Sequence, residues 1–213
     1  MVKAVVLDVD GTLMDTNYLH TEAWARAFDE VGHRVPRVRL HKEVGKGAGL
    51  LIREFVEDEE TVEKIQNLHS EFYGEQQVYG HPLPGAKELI SSLKERGYEV
   101  WFVTSAKDEE LEHHMQELEA EESVDGVVNS SAVENPKPAP DIFEETLRRA
   151  GATADETVAV GDAVWDVEAA RGAGIRTVAV LTGGAYHEEA LEEAGAVAVY
   201  EDCAALLDSD FPE

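Results

Sequence analysis

Two different hydrophobic patterns follow one another in the first part of the chain. The residues from Val2 to Leu7 are apolar and mostly β-branched, broken only by Lys3, which predicts a buried parallel strand. From residue 16 to residue 80 the apolar positions recur at helical spacing, and no segment alternates as a half-buried strand does. Glycine and proline then cluster at residues 80–85, which predicts the end of this helical block.

Beyond residue 85 short apolar runs alternate with amphipathic helices up to residue 200. The runs are predicted as strands at residues 99–103, 124–128, 157–160, 177–181 and 197–200. This alternation predicts an α/β fold, a doubly wound parallel sheet of Rossmann-like type that is covered by helices on both faces. We therefore expect a catalytic core of residues 1–15 and 81–213, interrupted by a small all-helical cap of residues 16–80.

Two carboxylates follow the first strand, in the order Asp8-Val9-Asp10-Gly11. Residues i and i+2 of a strand point to the same side, so Asp8 and Asp10 can face one reacting centre. Buried carboxylates are costly unless a cation or a donor accompanies them. Taken alone, this pattern also fits an ordinary strand followed by an Asp-Gly turn.

Other polar residues follow the ends of later strands. Thr104 ends the second strand, Lys137 lies in a proline-rich loop, and Asp162 and Asp166 follow the strand that ends near Gly161. Because the carboxyl ends of parallel strands share one edge of a sheet, we expect these residues to converge with Asp8. Clustered carboxylates suit Mg²⁺, and a lysine and a hydroxyl beside them suit the oxygens of a phosphate.

The chain is strongly acidic. Forty-five Asp and Glu residues oppose 18 Lys and Arg residues, giving a formal net charge of −27 over 213 residues. Such a field repels nucleic acid and anionic lipid, so we expect neither as a partner. The acidic residues are spread along the predicted helices, which fits solvated helix faces and a halophilic protein from a high-salt cytoplasm.

The remaining composition is consistent with a cytoplasmic enzyme. There is no run of about 18 apolar residues, and the first strand starts too early to leave room for a signal peptide. The single Cys203 excludes an intramolecular disulfide and suits a reducing compartment. We expect a monomer or a homodimer that acts on a small phosphorylated metabolite.

Four motifs together resemble those of the haloacid dehalogenase (HAD) superfamily. They are Asp8-Val9-Asp10-Gly11-Thr12, Thr104 after an apolar strand, Lys137 before Pro138, and Gly161-Asp162 with Asp166 four residues later. The helical block between the first two motifs resembles the cap of the phosphoglycolate phosphatase and β-phosphoglucomutase-like subgroup. The likeness extends over essentially the whole chain.

The resemblance implies a role for each catalytic residue. Asp8 is expected to be the nucleophile that forms an aspartyl-phosphate, and Asp10 the general acid and base. Thr104 is expected to donate a hydrogen bond to the phosphoryl oxygens. Lys137 is expected to neutralise those oxygens and to orient Asp8.

The same resemblance implies a Mg²⁺ site. Asp162 is expected to bind the metal directly, together with the Asp8 carboxylate and the backbone carbonyl of Asp10. Asp166 is expected to act nearby, through a water molecule. These four aspartates are the predicted metal-site residues.

The cap offers candidates for substrate recognition. We expect His20, Lys46 and Ser105 to contact the substrate; His20 precedes Ala23-Trp24 much as in β-phosphoglucomutase-like caps. The glycines at positions 45, 47 and 49 could form a backbone nest for an anion, with Lys46 reaching into the cleft. Alternatively, Lys46 is an exposed lysine of a helix-to-helix turn, and His20 is an ordinary polar helix residue.

These residues leave three hypotheses for function. The leading one is a Mg²⁺-dependent phosphatase, a phosphoric monoester hydrolase that works through an aspartyl-phosphate. The alternative is a phosphomutase of the β-phosphoglucomutase type that uses the same phosphoenzyme, and the third is a binding module on a disused fold. Dehalogenation is rejected because dehalogenases of the superfamily lack the second aspartate, which is present here as Asp10.

Overall fold

The computed structural model contains the parallel sheet of Rossmann-like type that the alternating pattern predicts. The structure describes residues 1–106 and 108–212. The strands of this part are β1 (Ala4–Asp8), β2 (Glu99–Thr104), β3 (Gly126–Asn129), β4 (Thr157–Gly161), β5 (Arg176–Val180) and β6 (Ala198–Tyr200). They pair in parallel in the order β3-β2-β1-β4-β5-β6.

Helices connect the strands, and four of them form the insert after β1. The insert contains α1 (Asn17–Glu30), α2 (Arg37–Glu43), α3 (Ala48–Arg53) and α4 (Glu59–Gly74). The later helices are α5 (Ala86–Glu95), α6 (Asp108–Glu117), α7 (Asp141–Ala150), α8 (Val164–Gly172), α9 (Glu188–Ala194) and α10 (Cys203–Leu207). Single 3₁₀ turns lie at Gln77–Tyr79, Ser130–Ala132 and Ala154–Glu156.

The sheet is buried on both faces, which confirms the doubly wound fold. Val5 and Leu7 of β1 pack into one hydrophobic cluster, whereas Ala4 and Val6 pack into a second cluster on the opposite face. This division follows from the alternation of side chains along a strand. A strand buried on both faces needs a continuous apolar sequence, as β1 has.

Helices α1–α4, which we call the cap, have a hydrophobic core of their own. Trp24 and Phe28 of α1 pack there with Leu40 of α2, Ile52 of α3 and Ile65 of α4. These apolar residues recur at helical spacing, so each helix turns one stripe inward. The exact domain boundaries at residues 16 and 80 stay predictions.

Three details of the chain differ from the sequence-based expectation. The apolar positions of the sequence predict the first cap helix from Glu22, whereas α1 begins five residues earlier, at Asn17. The sequence pattern predicts a helix from about Glu59 to Tyr79, whereas α4 ends at Gly74 and only a 3₁₀ turn reaches Tyr79. Helix α10 was not predicted; Asp202 caps it by accepting a hydrogen bond from the Ala205 amide (2.8 Å), and Leu206 and Cys203 are buried.

None of the helices in the described part of the chain is both long enough and apolar enough to cross a membrane.

Many of the described ion pairs lie on the surface of the protein. Arg37 with Glu22 (2.6 Å) and Arg53 with Glu59 (2.6 Å) are examples with well-exposed side chains. Such pairs contribute little to stability, so they do not offset the repulsion of the excess acidic charge.

We therefore expect salt to stabilise the protein. Raising the salt concentration from about 0.1 M to 1 M shortens the Debye length from roughly 10 Å to roughly 3 Å, which screens repulsion between surface carboxylates. The melting temperature measured across this range should rise with KCl and with NaCl alike. A melting temperature that stays flat or falls would contradict an adaptation of the −27 charge to high salt.

Candidate active site

The site lies where the strand order reverses direction. Strand β1 pairs with β2 on one side and with β4 on the other. The sheet therefore extends from β1 in one direction through β2 and β3, and in the opposite direction through β4, β5 and β6. Such a switch point opens a crevice at the carboxyl ends of the strands. Asp8 is the last residue of β1, Thr104 is the last residue of β2, and Asp162 follows directly after β4. The convergence expected from the sequence is thus observed.

Three carboxylates meet at this crevice. One carboxylate oxygen from each of Asp8, Asp162 and Asp166 lies within 4.8 Å of the others, and all three residues are buried. The buried ammonium of Lys137 donates to Asp8 Oδ1 (2.5 Å) and to Asp166 Oδ1 (2.8 Å). Asp166 is fixed further because its Oδ2 accepts a hydrogen bond from the Ala163 amide at the start of α8 (3.0 Å).

The protonation of this cluster reflects its excess of negative charge. Burial and the neighbouring Asp166 raise the pKa of Asp8 well above its usual range, and the charge of Lys137 offsets this only in part. Burial and Asp166 also raise the pKa of Asp162, to about 7. Burial lowers the pKa of Lys137, but the charges of Asp166 and Asp8 outweigh it and raise that pKa, so the lysine stays charged. Three carboxylates therefore share one ammonium group.

Asp162 is held by Thr12 and Asn17, to which the sequence analysis assigned no role. Thr12 Oγ1 donates to Asp162 Oδ1 (2.9 Å), and Asn17 Nδ2 donates to Asp162 Oδ2 (3.0 Å). A Cβ atom on Gly183 would lie 1.7 Å from Asp162 Oδ2, so only glycine fits at that position after β5. Gly11 has a φ of +83°, and a Cβ there would collide with Asn17. Thr12 and Gly11 belong to the first motif, but nothing in the sequence indicated that Asn17 or Gly183 would contact Asp162.

The donor set fits a hard divalent cation. The three clustered groups are carboxylates, and no histidine or cysteine joins them in the described residues. Asn17 Oδ1 is also buried and has no hydrogen-bond partner among the residues that the structure describes. Oxygen ligands of this kind suit Mg²⁺, and a cation would relieve the repulsion that raises the pKa values of Asp8 and Asp162.

The Asp10 carboxylate lies apart from this trio and has its own partners. Its Oδ1 accepts a hydrogen bond from Thr16 Oγ1 (2.7 Å) and lies 3.2 Å from His20 Nε2, while its Oδ2 accepts one from Thr104 Oγ1 (3.2 Å). Burial raises the pKa of Asp10, but the charge of His20 and its hydrogen bond outweigh burial and hold that pKa well below its usual range. A metal ligand from Asp10 would therefore be its backbone carbonyl, as the resemblance implies.

His20 connects Asp10 to a stack of rings in the cap. Burial lowers the pKa of His20, but Asp10 outweighs this and raises it above its usual value. His20 Nδ1 lies 3.3 Å from His69 Nε2, and the His20 ring stacks on Tyr73 (3.9 Å between centroids). Tyr73 Oη lies 3.3 Å from Nε2 of His114, a buried residue of α6. Sequence reasoning missed His69, Tyr73 and His114, although the i, i+4 spacing of His69 and Tyr73 on α4 was a signal.

A cleft lies between the cap and the sheet edge, and both Asp8 of the carboxylate cluster and Asp10 line it. Asp8 and Asp10 form its floor, together with Ser105 and Ala106 after β2. Its other described lining residues come largely from the cap: His20, Trp24, Val44, Gly45, Lys46, Ala48, Leu51, Gln66, His69 and Ser70, with Glu110 of α6. Ser105 Oγ donates to the carbonyl of Gly45 (3.1 Å) and so connects the core to the cap loop.

Lys46 lies in this cleft but is already paired. Its Nζ is 2.5 Å from Glu43 Oε2 and 3.1 Å from Glu54 Oε1, and it lies 4.1 Å from the centre of the Trp165 ring. Only 9% of its side chain is exposed. Lys46 is therefore not the exposed turn lysine that the sequence left open as an alternative.

The buried position of Lys137 predicts a large loss of stability on its removal. We expect Lys137→Met to lower the free energy of unfolding by about 3–5 kcal/mol, because it leaves Asp8 and Asp166 buried without a counter-charge. The matched control is Lys94→Met, since Lys94 pairs with Asp125 (2.6 Å) at the surface. The control should cost about 0–1 kcal/mol. Equal losses in urea unfolding would contradict a special role of the Lys137 pair.

A family model of haloacid dehalogenase-like hydrolases matches residues 2–174. The chain therefore belongs to this family, and the expectation of an enzyme of the HAD phosphatase type, in the phosphoglycolate phosphatase and β-phosphoglucomutase-like subgroup, is confirmed.

The relatives match along nearly the whole chain. A phosphorylated carbohydrates phosphatase of Thermotoga maritima is 30% identical, over 93% of this chain and 94% of its own length. A phosphoglycolate phosphatase of Rhodospirillum rubrum is 28% identical, over 98% and 90%. The crystal structure of a hydrolase from Pseudomonas syringae superposes with a TM-score of 0.91 at 32% identity, covering 97% of this chain and 96% of that one.

Proposed function

We propose that the protein is a Mg²⁺-dependent phosphatase that hydrolyses a small phosphorylated metabolite through an aspartyl-phosphate on Asp8. The observation that carries the proposal is the position of Asp8. Its carboxylate ends the central strand, lies within 4.8 Å of Asp162 and Asp166, is ion-paired with Lys137, and faces the cleft. A nucleophile placed between fixed positive charge and an open cleft suits attack on an anionic ester.

The first half-reaction transfers the phosphoryl group to Asp8. A carboxylate oxygen of Asp8 forms a bond to phosphorus, and the bond between phosphorus and the ester oxygen breaks. The leaving alkoxide takes a proton from the pair formed by Asp10 and His20, whose groups lie 3.2 Å apart. Because the pKa of Asp10 is lowered and that of His20 is raised, the proton of the resting pair resides on His20.

The second half-reaction returns the enzyme to its starting state. Water attacks the phosphorus of the aspartyl-phosphate and gives a proton back to the pair of Asp10 and His20, which lost one to the leaving group in the first half-reaction. The bond between phosphorus and the Asp8 oxygen breaks, which releases inorganic phosphate. Thr104, which donates to Asp10 in the resting site, is positioned to donate to the phosphoryl oxygens instead.

Asp8 and Asp162, with the backbone carbonyl of Asp10, are the groups that would hold the metal, and Asp166 lies beside them. When bound, Mg²⁺ supplies positive charge that keeps Asp8 ionised and offsets the charge of the phosphoryl oxygens. Lys137 complements this charge from its position between Asp8 and Asp166. Its buried ion pairs keep it charged throughout the physiological pH range.

A screen of phosphate release over a panel of phosphorylated metabolites tests this proposal. We expect Mg²⁺-dependent release of inorganic phosphate from at least one monoester and from an activated aryl phosphate. Release from none of them would contradict the proposal. Because two relatives are a phosphorylated carbohydrates phosphatase and a phosphoglycolate phosphatase, both types of substrate belong on the panel.

The fate of the phosphoryl group distinguishes the mutase alternative. A phosphatase discharges the isolated phosphoenzyme to water at a rate that added sugar phosphate hardly changes. A phosphomutase of the β-phosphoglucomutase type discharges it far faster to a sugar phosphate and forms a bisphosphate. Rapid mixing of the phosphoenzyme with buffer or with sugar phosphates separates the two reactions.

A further inference from the structure

The first residue of the cap reaches into the carboxylate cluster. Asn17 begins α1, is only 4% exposed, and directs its amide to Asp162 after β4. We propose that Asn17 is a positioning residue for the metal site, whose amide holds the Asp162 carboxylate in the orientation of a ligand. The affinity for Mg²⁺ then depends on the cap as well as on the core, and this inference rests on the metal site of the proposed function.

The first argument is that donors from two parts of the protein hold the Asp162 carboxylate. Thr12 Oγ1, from the loop after β1, donates to Oδ1 (2.9 Å), and Asn17 Nδ2, from the cap, donates to Oδ2 (3.0 Å). A donor on each oxygen limits the rotation of the carboxylate about its last bond. Hydrogen-bond partners of this kind orient metal ligands, and their loss typically weakens metal binding by about 10–100-fold.

The second argument is that two glycines make the space for the Asn17 amide. A Cβ atom on Gly11 would lie 2.2 Å from Asn17 Nδ2, and a Cβ atom on Gly183 would lie 2.9 Å from the same nitrogen. The amide therefore fits between the loops after β1 and β5, beside Asp162 after β4. Nδ2 also donates to the Gly183 carbonyl (3.3 Å), so the amide group is anchored to two of these loops at once.

The third argument is that Asn17 does not have the usual role of an asparagine at the start of a helix. Asparagine is common there because its side-chain oxygen accepts a hydrogen bond from an amide of the first turn. Here Asn17 Oδ1 is buried and has no hydrogen-bond partner among the described residues. Such an acceptor is rare, whereas Mg²⁺ at a carboxylate site keeps several water molecules that donate hydrogen bonds. The unpaired oxygen therefore also points to a hydrated cation beside it.

Calorimetric titration of the folded, metal-free protein with MgCl₂ tests the inference. The ionic strength is held constant with KCl, and Asp162→Asn gives the background of Mg²⁺ that binds to the acidic surface. We expect Asn17→Ala to raise the dissociation constant of the specific Mg²⁺ site by about 10–100-fold. Asn17→Ser, whose hydroxyl is one bond shorter than the amide nitrogen, should show the same loss and replaces the alanine variant if that variant does not fold.

His41→Ala is the matched control, because His41 is a second cap residue that contacts the Gly183 carbonyl. Its Nε2 donates to that carbonyl at 2.9 Å, and it makes no hydrogen bond to Asp162 in the described part of the structure. We expect this control to bind Mg²⁺ with the affinity of the wild type. An unchanged dissociation constant in Asn17→Ala would overturn the inference. An equal rise in His41→Ala would overturn it as well, because it would show a general loosening of the cap.

The same titration separates failure of this inference from failure of the proposed function. If the wild type hydrolyses an activated aryl phosphate and binds Mg²⁺ more tightly than Asp162→Asn, but Asn17→Ala binds it equally well, the phosphatase function stands and the role of Asn17 is wrong. If the wild type binds Mg²⁺ no better than Asp162→Asn, the metal site and this inference both fall. A merely structural Asn17 would lower the melting temperature of the metal-free protein without changing the dissociation constant.

Discussion

Asp8→Asn should abolish turnover and the covalent phosphoenzyme together. An amide is a poor nucleophile and a weaker metal ligand than a carboxylate, so both functions of the residue are lost. The substitution also leaves Lys137 with only Asp166 as a close carboxylate partner. The measurement is rapid-quench mass spectrometry with an activated aryl phosphate, which follows the phosphate mass on the peptide that contains Asp8.

Asp10→Asn is the matched comparison, because it also replaces a carboxylate by an amide, two residues further along the chain. It leaves the Asp8, Asp162 and Asp166 cluster intact, but it removes the proton acceptor and the partner of His20. We expect alkyl phosphate hydrolysis to fall by about 10²–10⁴-fold, the usual contribution of general acid–base catalysis. Phosphoenzyme should still form with the aryl phosphate, because its leaving group departs without a proton.

The two variants thus assign the roles independently. Phosphate on the Asp8→Asn peptide would show that another residue is the nucleophile. A wild-type rate of Asp10→Asn on an alkyl phosphate would show that the proton transfer belongs elsewhere.

Removal of the metal should have an effect as large as loss of Asp8. We expect activity to vanish after exhaustive chelation, to return with Mg²⁺, and to return poorly with Zn²⁺, because the carboxylate cluster includes no histidine or cysteine in the described residues. Asp162→Asn should lose most of the activity even at high Mg²⁺ concentration. The control Asp155→Asn changes an exposed aspartate and should behave as the wild type. Full turnover of the chelated enzyme would contradict the metal requirement.

The same site predicts how Mg²⁺ stabilises the fold at different pH values. The folded-state pKa of Asp162 is about 7, above its usual value of 3.8, so folding favours the protonated group. This contribution to stability is complete below about pH 4 and is lost as the pH rises toward 7, where the buried carboxylate becomes charged. Mg²⁺ should therefore raise the melting temperature more at pH 8 than at pH 5, and hardly at all in Asp162→Asn. A shift of equal size at both pH values would contradict this linkage.

Much of the catalytic constellation could be predicted because it depends on strand ends. Asp8, Thr104 and Asp162 each stand at or just after the carboxyl end of a parallel strand, and the topology of such sheets brings those ends together. No knowledge of side-chain packing was needed. Lys137 was predictable from its motif, although its double ion pair with Asp8 and Asp166 was not.

The surroundings of Asp10 could not be predicted in the same way. His20 was proposed as a substrate contact, yet in the structure it lies against Asp10 and is backed by His69 and Tyr73. These rings belong to two cap helices, and their meeting depends on how α1 packs on α4. The sequence shows which face of each helix is apolar, but not the rotation and offset at which two such faces pack.

The sequence by itself determined the parallel sheet, the inserted helices and the carboxylate cluster, because hydrophobic periodicity and strand-end positions are local properties of the chain. Only the tertiary structure decided the electrostatic state of the cleft. Whether Lys46 offers a free charge depends on Glu43 and Glu54, and whether Asp162 fits depends on the absence of a side chain at Gly183. Charge compensation and steric fit at ångström distances arise from packing between separate segments, and no single segment encodes them.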